Sequence, residues 1–334
     1  MVKENYMIKK RKDWTAQDCM KIDSFIMKGS TTGEFINTLN YLNYHPEGRF
    51  EDDSIAVFDN GCGEVRGVLV AAKTGINTVE SYPGTTFAGP VIDRTSNLDV
   101  IETVMDMMLG YYEAKYKEIK IHKIPDYYTE QPFYMIDYIL LNREYSYGMS
   151  ALANIIDLRN IQTEDDIWKL FYSKKRNQTR KVMKEQIFVF TEGKVREDVW
   201  TNINKNLESK YNTKTTHSFE EIQELINRCP ENIKAYYVNT DVGEYAAFAM
   251  VFLFKNVFHT QYLDMDYKYA SKCPNQMLVF ELIRIAKTMR YTYFSFGAST
   301  EKRGKILNRG LYNYKIGYGG GDVILPVYVK TKFE

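Results

Sequence analysis

The sequence repeats one order of predicted elements, and this repeat limits the possible folds more than any other feature. In the first half, residues 54–59 and 65–72 are predicted strands around an Asn-Gly turn, because both turn residues tolerate positive φ. A loop rich in Gly and Pro follows, and then an amphipathic helix from about Ser96 to Tyr116, with Ser96 and Asp99 as a capping pair. A short strand around Ile121 ends the pattern.

The second half gives the same order again. Predicted strands at 235–239, 244–254 and 257–264 precede a helix from Pro274, a residue suited to a first helical turn, to about Arg290. The apolar stripe of this helix consists of Leu278, Leu282, Ile285, Ala286 and Met289. A short strand at 293–296 follows. Strand, hairpin, strand, helix and strand, occurring twice, predict two related α/β (α+β) domains with mixed sheets flanked by helices.

The predicted domain boundary lies near Asn160. A helical stretch from about Thr163 to Gln186 separates the two repeats, and a second one runs from about Val199 to Cys229. The expected domains are therefore 1–160 and 161–334, the second with a leading basic helix.

Composition excludes several classes of protein. The 44 basic and 43 acidic residues give a net charge of +1, which argues against binding nucleic acid, DNA above all, over the whole surface. The four cysteines show no C-x-x-C pair and no zinc spacing, so we expect reduced, buried thiols and no metal. The start of the chain does not resemble a signal peptide, and the longest uncharged apolar run, 245–254, is too short to span a bilayer. We expect a cytoplasmic protein with no transmembrane segment.

The strongest local charge feature is the segment Ser173–Lys184, which has six basic residues and no acidic one. On a helix, Arg176, Arg180 and Lys184 share one face, and a row of this kind suits phosphate groups. The alternative is an ordinary solvated helix face.

The predicted strand at 257–264 carries polar residues that are unusual for a central strand. Strict alternation would place His259, Gln261 and Leu263 on one face. A buried polar pair is costly unless it is satisfied or used. As a hypothesis, His259 or Asp264 is a general base; the alternative for His259 is a satisfied structural histidine.

Lys315 lies among tyrosines in a Gly-rich segment near the end of the chain. A lysine in such surroundings either extends its ammonium to solvent or is a positioned cation for an anionic intermediate. Residue types alone favour the first of these two roles.

Five segments together resemble one superfamily. They are Phe171–Lys181, with its R-x-x-x-R-K pattern, Phe294–Ser299, Asn308–Leu311, Tyr314–Gly319 and the loop Tyr82–Pro90. The combination resembles the Fem-type peptidyltransferases and their acetyltransferase-like relatives. The resemblance implies two tandem GNAT-like domains and transfer of an acyl or aminoacyl group to an amine.

The resemblance also implies roles for individual residues. Lys315 would offset negative charge at the reacting ester, and Tyr312 or Tyr314 would protonate the leaving group. Arg176 and Arg180 would bind the diphosphate of an acceptor, while Gln261 and Tyr262 would line the acceptor cleft. The donor would contact Lys272, Asn275 and Asn308.

The donor stays open between two chemistries. The stretch 266–275 contains none of the glycines with which a GNAT domain cradles the CoA pyrophosphate, although the following helix N-terminus suits an anion. The leading expectation is acetyl transfer from acetyl-CoA to an amine of a cell-envelope or surface-polysaccharide precursor, such as a nucleotide-linked amino sugar. The alternatives are a Fem-type enzyme that uses aminoacyl-tRNA in peptidoglycan bridge formation and a non-catalytic, degenerate GNAT binding module.

Overall fold

Helices and strands alternate through residues 5–332, the part of the chain that the computed structural model describes. The α-helices in chain order are α1 (Ala16–Ser24), α2 (Leu39–Leu42), α3 (Leu98–Lys115), α4 (Met135–Asn142), α5 (Glu164–Leu170), α6 (Ser173–Glu185), α7 (Glu197–Tyr211), α8 (Phe219–Arg228), α9 (Pro274–Thr288) and α10 (Arg309–Ile316). The strands in chain order are β1 (Tyr6–Lys10), β2 (Glu51–Asp52), β3 (Ile55–Asp59), β4 (Val65–Leu69), β5 (Ala72–Gly75), β6 (Thr78–Glu80), β7 (Val91–Ile92), β8 (Glu118–His122), β9 (Ser146–Tyr147), β10 (Ala151–Asp157), β11 (Phe188–Gly193), β12 (Ile233–Thr240), β13 (Tyr245–Leu253), β14 (Val257–Met265), β15 (Tyr293–Ala298), β16 (Thr300–Glu301), β17 (Ile306–Leu307), β18 (Gly321–Leu325) and β19 (Val327–Thr331).

The chain folds as two compact units whose division differs slightly from the expected one. The first unit holds the described residues up to Ala151, residues 303–305 and the described residues from Ile324 onward. The second unit holds Leu152–Lys302 and Ile306–Val323. The division falls before the expected boundary at Asn160 because β10 pairs with β15 in the sheet of the second unit.

Each unit contains mixed sheets. In the first unit, one sheet has the order β1-β3-β4-β7 and another the order β2-β5-β6-β8-β19-β9. In the second unit, the large sheet has the order β11-β12-β13-β14-β15-β10-β18, and β16 pairs with β17 in a separate two-stranded sheet. One pair of neighbours is parallel in each unit, β6 with β8 and β14 with β15. A helix, α3 or α9, lies between the two parallel strands in sequence, as the repeated pattern predicts.

After each repeat, the chain adds one strand to the sheet that the other repeat forms. β19, the last strand of the chain, pairs antiparallel with β8 in the first unit. β10, which follows the first repeat, pairs antiparallel with β15 in the second unit. Sequence periodicity alone could not assign these two strands, because their partners are more than a hundred residues away.

The predicted apolar faces of the two long helices are largely confirmed. On α3, Ile101, Val104, Met105 and Met108 are buried in the core of the first unit. On α9, the predicted stripe is buried except Ile285, which is partly buried, and Met289, which is exposed because the helix ends at Thr288.

Two local predictions about the first repeat are wrong. The cap of α3 is Asn97 rather than Ser96, since the Asn97 side chain accepts a hydrogen bond from Val100 N. The expected strand 65–72 is divided, because the chain leaves one sheet after Leu69 and enters another at Ala72.

The cysteines and the hydrophobic segments give three further findings. None of the four cysteines forms a disulfide, but only Cys229 is buried, so the expectation of buried thiols holds for that residue alone. Within residues 5–332, no helix is long and apolar enough to cross a bilayer. The same residues contain no group of three or more His, Cys, Asp or Glu side chains placed to hold a metal ion.

Candidate functional site

The parallel strands of the second unit separate part-way along their length. β14 and β15 pair only from Val257 with Tyr293 to His259 with Ser295. Beyond these positions, β14 stays paired with β13 and β15 with β10. The strands therefore leave a wedge between them, where backbone groups need partners other than a neighbouring strand.

Lys315 supplies those partners. Its side chain is 3% exposed, and its Nζ donates to the carbonyl oxygens of Gly297 at 2.9 Å and Ala298 at 2.5 Å. Burial lowers the pKa of Lys315 to about 7. At neutral pH this side chain is therefore a cation that can also lose its proton, held at the wedge.

A cavity of about 660 Å³ opens at this position in the second unit. Its polar lining includes Lys315, Tyr314, Asp264, Asn206, Asn275 and Asn308. The Tyr314 hydroxyl and the Asn275 Oδ1 are buried and make no hydrogen bond within the described part of the chain. Buried polar atoms without a partner are rare in proteins, so these two atoms point to a ligand in the cavity.

Asp264 is a buried carboxylate held in one orientation. The Asn206 side chain donates to its Oδ1 at 2.9 Å, and Asn202 and the Tyr245 hydroxyl each donate to its Oδ2 at 3.3 Å. Burial raises the pKa of Asp264 above its ordinary value, and the three hydrogen bonds oppose that shift. A carboxylate of this kind can accept a proton near neutral pH more readily than an exposed one.

A β-bulge brings Asp264 to the cavity. The register between β13 and β14 shifts so that Met250 pairs with Tyr262 while Val251 pairs with Thr260. Phe258 and Leu263 consequently pack against the same core cluster, although an odd separation would place them on opposite faces of a regular strand. The bulge takes Leu263 out of the alternation predicted with His259, whereas the Gln261 side chain stays in hydrogen-bond contact with the His259 ring.

A lysine of the basic helix α6 packs against the ring of Tyr314. Lys175 Nζ lies 4.3 Å from the centroid of the Tyr314 ring and 4.6 Å from that of Tyr318. Burial lowers the pKa of Lys175 to about 8, and burial raises that of Tyr314 to about 12. Tyr314 thus remains a neutral hydroxyl donor at any pH at which the reaction would run.

His259 does not line this cavity. Its Nδ1 lies 3.1 Å from Ser295 Oγ, and its ring packs edge-on against Phe254. Burial and then the charge of Lys315 lower the pKa of His259 to about 4. A histidine with so low a proton affinity is a poor base at neutral pH, so the geometry favours Asp264 of the two expected bases.

The predicted acceptor-binding residues contact different neighbours. Arg176 donates through Nε and Nη2 to the Phe171 carbonyl oxygen, at 3.3 and 2.9 Å. Its guanidinium is therefore bound to the segment that immediately precedes α6. Arg180 is exposed and lies over the Trp168 ring at 5.5 Å. The Tyr262 hydroxyl lies 2.7 Å from His217 Nδ1.

Two of the three predicted donor-binding residues do line the cavity. Asn275 lies in the first turn of α9, and Asn308 caps α10 by accepting a hydrogen bond from Leu311 N. Lys272 is exposed at the end of a short 3₁₀ helix that leads into α9. Lys268, on the same short helix, donates to Glu244 at 2.9 Å.

Sequence reasoning missed the contribution of α7. This helix carries Asn202, Asn204 and Asn206, although asparagine is an unfavourable helix residue. Asn202 and Asn206 bond to Asp264, while Asn204 accepts from Thr215 N at 2.9 Å. Alternating asparagines in a helix were the one sequence feature that could have indicated a polar site there.

Comparisons with known proteins bear on the domain and on the fold. Residues 173–315 match the family model described as an acetyltransferase (GNAT) domain. Among solved structures, FemX is 13% identical, with 94% of this chain and 96% of that chain covered and a TM-score of 0.68. L-PGS from Bacillus licheniformis is 13% identical, with 94% and 91% covered and a TM-score of 0.56. The C-terminal domain of a proposed lysylphosphatidylglycerol synthetase from Agrobacterium fabrum is 11% identical, with 95% and 93% covered and a TM-score of 0.59. No curated protein sequence shows significant similarity to the chain.

The matched domain and the shared fold define the class of the protein, which is an acyltransferase of the GNAT fold. The whole chain shares the fold of these solved structures and consists of two GNAT-like domains, as the sequence predicts.

Proposed function

We propose that the second unit transfers an aminoacyl group from an ester donor, aminoacyl-tRNA, to an amine. The observation that carries this proposal is the position of the Lys315 ammonium, which lies in the wedge between β14 and β15 and lines the same cavity as Asp264 and Tyr314. A cation at that place stabilises negative charge that develops on a reacting carbonyl oxygen.

The proposed reaction proceeds by direct attack. The acceptor nitrogen adds to the ester carbonyl carbon, and the carbonyl oxygen becomes an oxyanion that the protonated Lys315 stabilises. Oxyanion stabilisation of this kind contributes about 3–4 kcal/mol. Asp264 takes the proton from the nitrogen. The C–O bond to the donor then breaks, and the leaving oxygen takes a proton from Tyr314.

The occupied wedge favours an ester over a CoA thioester. A pantetheine arm carries two amides, and each needs a backbone partner once it leaves water. Here the Gly297 and Ala298 carbonyls already accept from Lys315, and Gly297 N donates to Ser295 Oγ at 3.1 Å. The residues of this part of β15 are therefore satisfied by the protein itself.

The chain before α9 also lacks a cradle for a pyrophosphate. No glycine occurs from Asp266 to Asn275, and the segment forms a 3₁₀ helix from Tyr267 to Lys272. Pro274 removes one backbone donor from the first turn of α9. Lys268 is engaged by Glu244.

The names of structurally similar proteins point in the same direction. One is a proposed lysylphosphatidylglycerol synthetase, whose name states synthesis of a lipid that carries a lysyl group, and another is FemX. By the resemblance of its motifs to Fem-type enzymes, the acceptor is an amine of a cell-envelope precursor, and the site of action is cytoplasmic.

Acetyl transfer from acetyl-CoA is the second candidate. It is favoured by the match of residues 173–315 to an acetyltransferase domain model. It is also favoured by Asn275, which brings the first turn of α9, with its partial positive charge, to the cavity.

A transfer assay with both donors tests the proposal. The protein is incubated with a pool of ¹⁴C-aminoacyl-tRNA or with ¹⁴C-acetyl-CoA, each with a nucleotide-linked muramoyl peptide or with glucosamine 1-phosphate as the amine. We expect labelled amide product only from the tRNA pool. Lys315→Met should remove it, whereas Lys184→Met, which alters an exposed lysine on α6, should not.

The other outcomes separate the alternatives. Product from acetyl-CoA alone would overturn the ester donor and establish the second candidate. Binding of a donor without any product, unchanged by Lys315→Met, would identify a non-catalytic binding module.

A further inference from the structure

The first unit contains a cavity of its own, separate from the acyl-transfer chemistry described above. It has a volume of about 250 Å³ and opens where the parallel pair of that unit ends, directly after Glu80 pairs with Lys120. Its walls include the apolar and aromatic side chains of Tyr82, Phe87 and Met149. Its polar lining comes from Glu80, His122, Lys123 and Arg303.

Basic side chains surround the buried carboxylate of Glu80 in this cavity. Glu80 is 3% exposed; Arg303 Nη1 and Lys120 Nζ lie 3.3 and 3.4 Å from its Oε1. The neighbouring His122 imidazole, followed by the charges of Lys120 and Arg303, lowers the pKa of Glu80 to about 2 against the effect of burial. Lys120 is shared with Glu118 at 3.2 Å. Two cations, Arg303 and Lys120, therefore face the two carboxylates of Glu80 and Glu118, and Arg303 is the one of these cations that lines the cavity.

Two side chains of the cavity, Arg303 and His122, have nitrogen atoms that can donate further hydrogen bonds. The Arg303 side chain is 79% exposed, and Glu80 engages one of its five N–H groups. His122 Nε2 is buried, and it lies 3.6 Å from Glu80 Oε2, too far for a hydrogen bond. Within the described residues this nitrogen has no hydrogen-bond partner. Lys123, by contrast, is fully engaged by Asp126 and Asp137.

The backbone that carries Arg303 is held in an unfavourable conformation. Lys302, Arg303 and Gly304 all have positive φ, of 49°, 56° and 92°. Consecutive left-handed residues that are not glycine persist only where the surrounding structure imposes them, and they occur frequently at functional sites. A Cβ on Gly304 would lie 2.4 Å from the Ser150 carbonyl oxygen, so only glycine allows the turn to approach so closely. This turn places the guanidinium at the cavity.

We propose that the cavity of the first unit binds the oxyanion group, a carboxylate or a phosphate, of a small organic ligand. The N–H groups of Arg303 that do not contact Glu80 donate to two oxygens of the anion, because a guanidinium matches the geometry of a carboxylate or a phosphate. His122 Nε2 donates a further hydrogen bond. Tyr82 and Phe87 enclose the apolar part of the ligand. The volume admits a group of about the size of an amino acid. The inference is independent of the donor and of the chemistry in the second unit.

Calorimetric titration of the full chain tests this site with matched probes. N-acetylglycine supplies a carboxylate, N-acetylglycinamide is its neutral counterpart, and glycerol 3-phosphate supplies a phosphate. We expect binding of at least one anion and none of the amide. Arg303→Met should weaken the anion at least tenfold. Arg94→Met, which alters another exposed arginine of the same unit that pairs with Glu130, should leave it unchanged.

The measurement distinguishes the two sources of the oxyanion and can reject the site. Tighter binding of N-acetylglycine assigns the site to carboxylates, and tighter binding of glycerol 3-phosphate assigns it to phosphates. Equal binding of the acid and its amide would overturn the proposal. So would unchanged anion binding in Arg303→Met, equal weakening by Arg94→Met, or no binding of either anion at 10 mM.

Discussion

Lys315 Nζ donates to the carbonyl oxygen of Ala298 at 2.5 Å, at the place where the strand that ends with Ala298 has lost its parallel neighbour. The contact joins a buried cation on α10 to the wedge in which an acyl group would react. A cation with a pKa of about 7 in this position gives the rate and the stability of the protein characteristic dependences on pH.

The first prediction concerns the rate of transfer. Only protonated Lys315 stabilises the oxyanion, so kcat/KM should fall as pH rises through about 7. In Lys315→Arg, the guanidinium stays charged, and this alkaline decline should be absent even if the rate is lower. A pH–rate profile of both proteins checks it; the same decline in the arginine variant would assign it to another group.

The second prediction concerns stability. Burial lowers the pKa of Lys315 from 10.5 to about 7, so between these pH values the unfolded chain binds more protons than the folded one. The free energy of unfolding should therefore rise with pH over that window, by at most about 5 kcal/mol from this group. Lys315→Met lacks the titrating group and should show a correspondingly flatter profile. Denaturant titrations at pH 6, 7, 8, 9 and 10 measure both; parallel profiles would show that Lys315 is not buried as described.

The third prediction concerns the asparagines behind the base. Asn206→Ala removes a donor from the buried Asp264 carboxylate, which should cost about 1–3 kcal/mol of stability. It should also raise the pKa of Asp264, so the acidic limb of the kcat/KM profile should move to higher pH. Asn177→Ala, on the exposed face of α6, is the control and should change neither quantity. An unmoved acidic limb would remove Asp264 from the reaction.

The fourth prediction separates a backbone clash from backbone strain. Gly304 and Gly243 both have positive φ, but a Cβ would strike Ser150 only at Gly304, while nothing lies within 4 Å at Gly243. Gly243→Ala should cost about 1 kcal/mol, as left-handed alanine does. Gly304→Ala should cost clearly more and should weaken anion binding in the first unit. Thermal unfolding compares them, and equal losses would contradict the close approach at Ser150.

Much of the fold could be predicted from the sequence because its signals are local. The apolar spacing on α3 and α9, Pro274 at the start of α9 and the polar turn between β12 and β13 each specify an element within a few residues. Which sheet each strand joins was harder to predict from the sequence. Nothing near Val327 shows that β19 pairs with β8, since that pairing depends on residues two hundred positions away.

The site could be predicted in part for the same reason. Lys315, Tyr314, Asn275 and Asn308 occur in motifs and line one cavity. The position of Asp264, by contrast, depends on a bulge, and a single additional residue reverses every face that strict alternation predicts.

The roles of the basic residues in α6 depend on tertiary partners that sequence spacing does not show. Arg176 and Arg180 share a helix face as expected. Arg176, however, bonds to a carbonyl of its own chain segment, and Lys175, not singled out from the sequence, lies against the site tyrosine.

The most direct test of the central claim is the single-turnover rate at which aminoacyl-tRNA loses its labelled amino acid to an amine acceptor, measured in the wild-type chain and in Lys315→Met. The account predicts a 10²- to 10³-fold loss of rate in the variant, the effect expected for one oxyanion-stabilising group, with an unchanged circular dichroism spectrum. A variant that is folded and transfers at the wild-type rate would contradict the assignment of Lys315 to the reaction.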